Sequence, residues 1–239
     1  MISRSFAIGA MASLAFVASA PALTVPFTEN YSADAAGWVA GNLGALTWNA
    51  AGGPDGSSYV STVFNYQANN AGDNPAVFRG QDEFGASGNA FVGNWVEGRV
   101  GTFSVYVRHD AGVPLTIFTR FAGPANFPGA AGVAFAPVAS GVWTPVTIPV
   151  YFGSPNLVTF EGTSYGAVFP NIGHLQIGAT VPVSLAHVNQ NITFSLDQPT
   201  ITANSVPAVS EWGLASLGLT VLVAGTVVLR GKRGTVVRA

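Results

Sequence analysis

Short runs in which apolar and polar residues alternate recur along most of the chain. The clearest are Ser58–Tyr66, Gly101–Arg108, Leu115–Phe121, Trp143–Val150, Leu157–Phe160, His174–Ile177 and Ile192–Leu196. Each is bounded by Gly, Pro, Asn or Asp, and between Thr24 and Ser205 no stretch keeps a helical period. A period of two between turn residues predicts strands, and many short strands without helices predict an all-β, antiparallel β-sandwich. Gln67–Pro75 and Ala122–Gly132 are rich in turn formers and read as long surface loops.

The same alternation assigns faces. In Gly101–Arg108, Phe103, Val105 and Val107 point to the core, and Ser104, Tyr106 and Arg108 point away from it. In Leu115–Phe121, Arg120 shares a face with Thr116 and Phe118. The short connection His109–Pro114 predicts that these two strands are neighbours, with Tyr106, Arg108 and Arg120 on one open face. An aromatic ring beside guanidinium groups suits a sugar, whose C–H face stacks while its hydroxyls accept fixed N–H bonds. The competing reading pairs Arg108 with Asp110 or another surface carboxylate, which would explain the same residues without a ligand.

The two ends have a different pattern. Met1 to Ala22 combines Arg4, an apolar stretch Phe6–Ala18 and the small-residue site Ala20-Pro21-Ala22, as a secretory signal peptide does. Trp212–Leu229 is apolar or small throughout and is followed by Arg230, Lys232 and Arg233. As a helix it would be about 27 Å long, close to the hydrocarbon thickness of a bilayer. The basic cluster behind it predicts a cytoplasmic C-terminus and an exported domain on the other side. The chain therefore divides into a signal peptide (1–22), a β-sandwich ectodomain (23–205) and a C-terminal segment (206–239) with a transmembrane helix at 212–229.

Charge narrows the partners. The ectodomain has four arginines, ten carboxylates and no lysine, which leaves it at net −6. Such a surface lacks the basic footprint that nucleic acid requires. The chain has no cysteine, so an exported domain here is held by its core without disulfides.

Catalytic patterns are sparse. Gly162-Thr163-Ser164-Tyr165-Gly166 matches the G-x-S-x-G string of hydrolases, but Pro170 ends any following helix almost at once, so the match reads as chance. His109, His174 and His187 have no metal-ligand spacing. Asp82 and Glu83 are adjacent, which in a strand would send them to opposite faces, so a solvated loop is expected and calcium is the minor alternative. Trp143, at the head of an alternating strand, is expected in the core. Trp95, in the loop-like Phe91–Trp95, has the strongest case for exposure, although packing still outweighs it.

Two resemblances add to these readings. The tail Val206-Pro207-Ala208-Val209-Ser210-Glu211-Trp212, the apolar span and the basic end together resemble the PEP-CTERM class of sorting signals. The closest variant has Ile-Pro-Thr-Leu before Glu-Trp; Glu211 and Trp212 match it without change. The resemblance implies an exosortase-type membrane protease as partner, a precursor crossing the inner membrane once, and delivery of the ectodomain to the outer surface.

The ectodomain resembles jelly-roll carbohydrate-binding modules and the wider galactose-binding-like sandwiches. The likeness runs through Phe27-Thr28-Glu29, Gly37-Trp38, the turn-rich Gly52–Ser58, Phe103–Arg108, Gly141–Val146 and Ile192–Asp197. It implies a structural calcium held in part by Glu29 and Asp197, and no other cofactor. The function expected from all of this is non-enzymatic: an exported structural or adhesive component of the cell surface or matrix, with carbohydrate binding to surface polysaccharide as the alternative.

Overall fold

The computed structural model describes residues 23–204, and these form an all-β fold of two antiparallel sheets. The expected signal peptide, the expected sorting motif Val206–Trp212, the expected transmembrane span 212–229 and its basic stop lie outside the described residues. No helix among the described residues is long and apolar enough to cross a membrane.

The twelve strands are β1 (Phe27–Thr28), β2 (Val39–Ala40), β3 (Thr47–Asn49), β4 (Tyr59–Asn65), β5 (Ala76–Gln81), β6 (Val100–His109), β7 (Ile117–Ala122), β8 (Gly129–Val133), β9 (Thr144–Pro149), β10 (Leu157–Thr159), β11 (His174–Ala179) and β12 (Asn191–Ala203). The first sheet has the order β3-β4-β12-β6-β9, with β1 also on β12. The second has the order β10-β8-β7-β11-β5-β2. All seven runs of alternation form strands. The region Ala122–Gly132 does not stay a loop, because its small residues Gly129, Ala130 and Ala131 pair with β7 as the start of β8.

The alternation in β6 is as expected, with Phe103, Val105 and Val107 buried between the sheets. Phe103 meets Phe121 of β7 edge-on at 5.8 Å, and Phe121 in turn meets Trp95 at 5.4 Å. Trp95 is fully buried, and its indole N–H donates to the Phe91 carbonyl at 2.8 Å, which satisfies its one polar atom. The sheets close on each other where side chains are missing. A Cβ on Gly132 would come within 2.8 Å of Ile148 in the opposite sheet; within the second sheet, one on Gly80 would meet the Trp38 ring at the same distance.

One topological expectation fails. β6 and β7 are not neighbours: β6 lies between β12 and β9 in the first sheet, and β7 between β8 and β11 in the second. The connection after His109 carries the chain from one sheet to the other, where a bridge between Leu115 and Val138 receives it. Tyr106 and Arg108 therefore lie on the outer face of one sheet, and Arg120 on the outer face of the other.

Candidate functional site

On the outer face of the first sheet, the Arg108 guanidinium lies over two rings, 5.3 Å from the centre of Tyr59 and 4.7 Å from that of Trp143. The two rings meet edge-on at 5.3 Å, and the Trp143 indole donates to the Gly52 carbonyl at 2.9 Å. Trp143 is thus half-buried outside the sheet rather than in the core: its strand begins at Thr144, and the indole lies against the loop Gly52–Ser58. Asp110 does not pair with Arg108; its carboxylate accepts the Thr193 N–H at 2.7 Å. The cation–π stack fastens the guanidinium in place of either partner expected from sequence.

The same loop covers Asp197, which is completely buried. Ser57 donates to Asp197 Oδ2 at 2.5 Å, and the Gln198 N–H to Oδ1 at 2.7 Å. Burial pushes this carboxyl up, and Asp55 adds to the shift against those two bonds. The Tyr31 hydroxyl is buried without a hydrogen-bond partner, and its pKa is raised by burial and then by the charges of Glu29 and Asp197. Tyr31 and Gln198 both have left-handed backbone, at φ of 47° and 50°. Glu29 and Asp197 thus bring carboxylate oxygens to one buried hydroxyl, but Glu29 Oε1 accepts the Tyr31 N–H at 2.8 Å and both Asp197 oxygens are bonded, so a calcium ion, which takes about six to eight oxygens, would need most of its ligands from backbone carbonyls and water.

The outer face of the second sheet is more elaborate. Across β5, β11 and β7 the register aligns Gln81 with His174 and Ala122, and Arg79 with Gln176 and Arg120. These polar side chains share a face because the intervening Leu175, Ile177 and Phe121 turn into the core. Arg120 donates to Glu161 through Nε at 2.5 Å and Nη2 at 2.8 Å, a two-point clamp. It also donates to the side chain and carbonyl of Asn126, at 2.6 and 2.7 Å. The clamp lies directly over Gly129, where a Cβ would come within 2.6 Å of both partners. Asn126 Oδ1 further accepts from Gln176 Nε2 at 2.7 Å and stands 3.2 Å from His174 Nδ1. Arg79 donates to the Gly41 carbonyl at 2.9 Å; burial lowers its pKa, and the nearby charge of Arg120 adds to that.

Two segments stand over this network. One is the β7–β8 connection with Asn126 and Phe127, whose ring is 62% exposed. The other is the 3-10 turn Asp82–Phe84 at the end of β5. That turn agrees with the solvated segment expected for Asp82 and Glu83, neither of which is buried, but it does not separate them. A strand would have split them, but the turn brings both carboxylates to His174 Nε2, at 3.3 and 2.8 Å.

No protein family model matches this chain, and no curated protein matches it. Similarity to solved structures is distant. The overlap with the two-module N-terminal part of Clostridium thermocellum endo-1,4-beta-D-xylanase 10B, complexed with xylohexaose, has TM-score 0.45 at 18% identity. It covers 76% of this chain and 28% of that one, so this chain spans well under half of that protein. The xylan-binding domain of Paenibacillus barcinonensis Xyn10C overlaps at TM-score 0.43 and 15% identity, covering 75% of this chain and 95% of that domain. A family 30 carbohydrate-binding module overlaps at TM-score 0.38 and 11% identity, covering 74% and 89%. Overlaps at these values carry no argument about this chain, and function has to be read from the side chains.

Chemically, the second sheet offers rigid, planar donors and acceptors beside exposed aromatic rings. Of the expected site residues, Arg120 is part of it, and Tyr106 and Arg108 are on the opposite side of the sandwich. Arg79, Gln81, Gln176, Asn126 and Glu161 were not singled out from sequence, and His174 was named there only as lacking metal-ligand spacing. The alternation His174-Leu175-Gln176-Ile177 contained the signal, since it sets two polar groups opposite two core residues. Ser164 opens the four-residue helix α1 (Tyr165–Val168) at the surface. Among the described residues no hydrogen bond ties its hydroxyl to a histidine.

Proposed function

We propose that this chain is an exported, non-catalytic carbohydrate-binding protein that takes a polysaccharide on the outer face of the second sheet. The observation that supports this most is the fastened network of Arg120, Asn126, Gln176 and His174 beneath the exposed Phe127. Sugar hydroxyls are best read by planar side chains held in place before binding, because little rotamer entropy is then lost. An exposed ring at the rim supplies the stacking surface. In this reading the N-terminal segment directs export, and an exosortase-type protease recognises Val206–Trp212. Arg230, Lys232 and Arg233 hold the precursor's membrane helix with its C-terminus in the cytoplasm, and the domain reaches the cell surface. An adhesive role in the matrix follows from binding surface polysaccharide. Glu29 and Asp197 hold a structural calcium on the far side of the sandwich.

Affinity electrophoresis of the purified protein against a panel of soluble polysaccharides tests the site. Retention by at least one polysaccharide is expected, and Phe127→Ala and Asn126→Ala should weaken it about tenfold or more while Tyr106→Ala leaves it unchanged. Loss with Tyr106→Ala and none with Phe127→Ala would move the site to the other face. Absence of retention by every polysaccharide would overturn the function.

A further inference from the structure

We propose that Asp82, Glu83 and His174 form a binding site for one divalent transition-metal ion of the zinc type, at the edge of the second sheet. The His174 side chain is only 4% exposed, and its Nε2 is a buried nitrogen without a hydrogen-bond partner. Glu83 Oε2 is 2.8 Å away and Asp82 Oδ1 3.3 Å, yet neither is placed for a straight hydrogen bond. One ligand atom from each of the three residues lies within 4.8 Å of the others. Zinc bonds to oxygen and nitrogen of about 2.0–2.2 Å imply ligand atoms about 3.3–3.6 Å apart in a tetrahedron; the Asp82 separation of 3.3 Å matches this, and Glu83, at 2.8 Å, would draw back by about half an ångström.

The surroundings favour the histidine form that binds metal. Asn126 Oδ1 is identified as an oxygen by the N–H groups it takes from Arg120 and Gln176, and it lies 3.2 Å from His174 Nδ1. A proton on Nδ1 is bonded there, which leaves the lone pair on Nε2 directed at the two carboxylates. A lone pair facing two anions is unfavourable unless a proton or a metal ion lies between them. Gln81 stands 3.0 Å from the same Nδ1 through its assigned Nε2, so the Nδ1–H tautomer requires this amide turned over, with its oxygen toward the Nδ1 proton. Metal-bound histidines are fastened through the other ring nitrogen in this way.

The backbone builds the site locally. The 3-10 turn closes with Gly85 in a left-handed conformation, and the Asp82 N–H bonds to the Gly173 carbonyl at 3.0 Å. Gly173 itself must lack a side chain, since a Cβ there would lie 3.0 Å from Asp82 Oδ2 and 2.6 Å from Pro124. Glu83 is 46% exposed, so the fourth position opens to water or to a ligand oxygen. An imidazole with two carboxylates selects a zinc-type ion over calcium, which prefers oxygen alone.

Metal-stripped protein titrated with Zn2+ by calorimetry should bind one ion, and Co2+ in its place should give the visible absorption of a tetrahedral site. His174→Gln and Glu83→Gln should each weaken binding by about tenfold or more. His187→Gln, on an exposed loop, should change nothing. Glu83→Gln alters a half-exposed side chain and keeps the fold, so a weakened site in that variant cannot be ascribed to unfolding. Failure to bind Zn2+ at millimolar concentration, or equal binding by wild type and Glu83→Gln, would overturn the site and leave His174 as an ion-paired imidazolium.

Discussion

Replacing Arg120 with alanine is the perturbation that best measures how firmly the outer face of the second sheet is held. The guanidinium makes two bonds to Glu161 and two to Asn126, with side-chain exposures of 18% for Arg120 and 30% for Glu161. An exposed ion pair contributes about 0–1 kcal/mol, and removing one partner of a fully buried pair costs about 3–5 kcal/mol. This clamp is intermediate in burial and two-point in geometry, so Arg120→Ala should destabilise the domain by about 2–3 kcal/mol. A double-mutant cycle with Glu161→Gln, measured by urea unfolding, should give a coupling of about 1–2 kcal/mol. The hydrogen bond from Arg120, followed by its charge, holds the Glu161 carboxyl below its ordinary value of 4.5. A carboxyl lowered in the folded state contributes stability that is fully present above the unfolded value and lost as pH falls through the folded one. The gap between wild type and Glu161→Gln should therefore be constant near neutrality and close below about pH 4.5. A coupling under about 0.5 kcal/mol, or a gap that stays the same down to pH 3, would refute the view that this clamp organises the face.

The remaining predictions address the core and the other face. Trp95→Ala should cost about 3–5 kcal/mol in urea unfolding, since the indole is fully buried and its N–H is bonded; a loss under 1 kcal/mol would mean that Trp95 is exposed in solution. With chelator present, the raised Asp197 carboxyl makes the folded form bind its proton more tightly. Relative to Asp197→Asn, wild type should then lose stability as pH rises from the ordinary value of 3.8 through the raised one. Excess calcium should reverse that loss by binding only the folded state, and identical melting curves with calcium and with chelator would retire calcium at Glu29 and Asp197.

Much of the architecture was legible because it depends on a period of two. Phe103, Val105 and Val107 are core residues wherever the strand sits in the sandwich, so alternation alone assigns their side. Which sheet a strand joins is a different matter. The link His109–Pro114 spans up to about 20 Å at full extension, and packed sheets are about 10 Å apart, so the same link can close a hairpin or cross the sandwich. Short loop length favoured the hairpin; the chain crosses, and Arg108 and Arg120 part company. Trp143 was misplaced for a related reason. One residue of register at the head of β9 separates the core from the outer face, and the loop that receives the indole is contributed by Gly52, far away in sequence.

The polar network around His174 is harder to see in advance, and its form explains why. β5, the 3-10 turn, β7, the Asn126 loop and β11 each supply one or two of its residues. None of those segments contains a motif, because a motif needs its ligands on one element. What convergence there is comes from the sheet: antiparallel register puts Gln81 opposite His174 and Arg79 opposite Gln176, and β7 brings Arg120 level with the second pair. The turn after Gln81 then departs from the strand period. That departure reverses the inference drawn from adjacency, since Asp82 and Glu83 meet at one nitrogen only because the strand has ended. A pair of carboxylates at a strand terminus, followed two residues later by a glycine, is therefore better read as a 3-10 turn whose acids can converge than as a strand whose acids must diverge. In this chain that difference decides whether His174 is an ordinary interior histidine or the centre of a site.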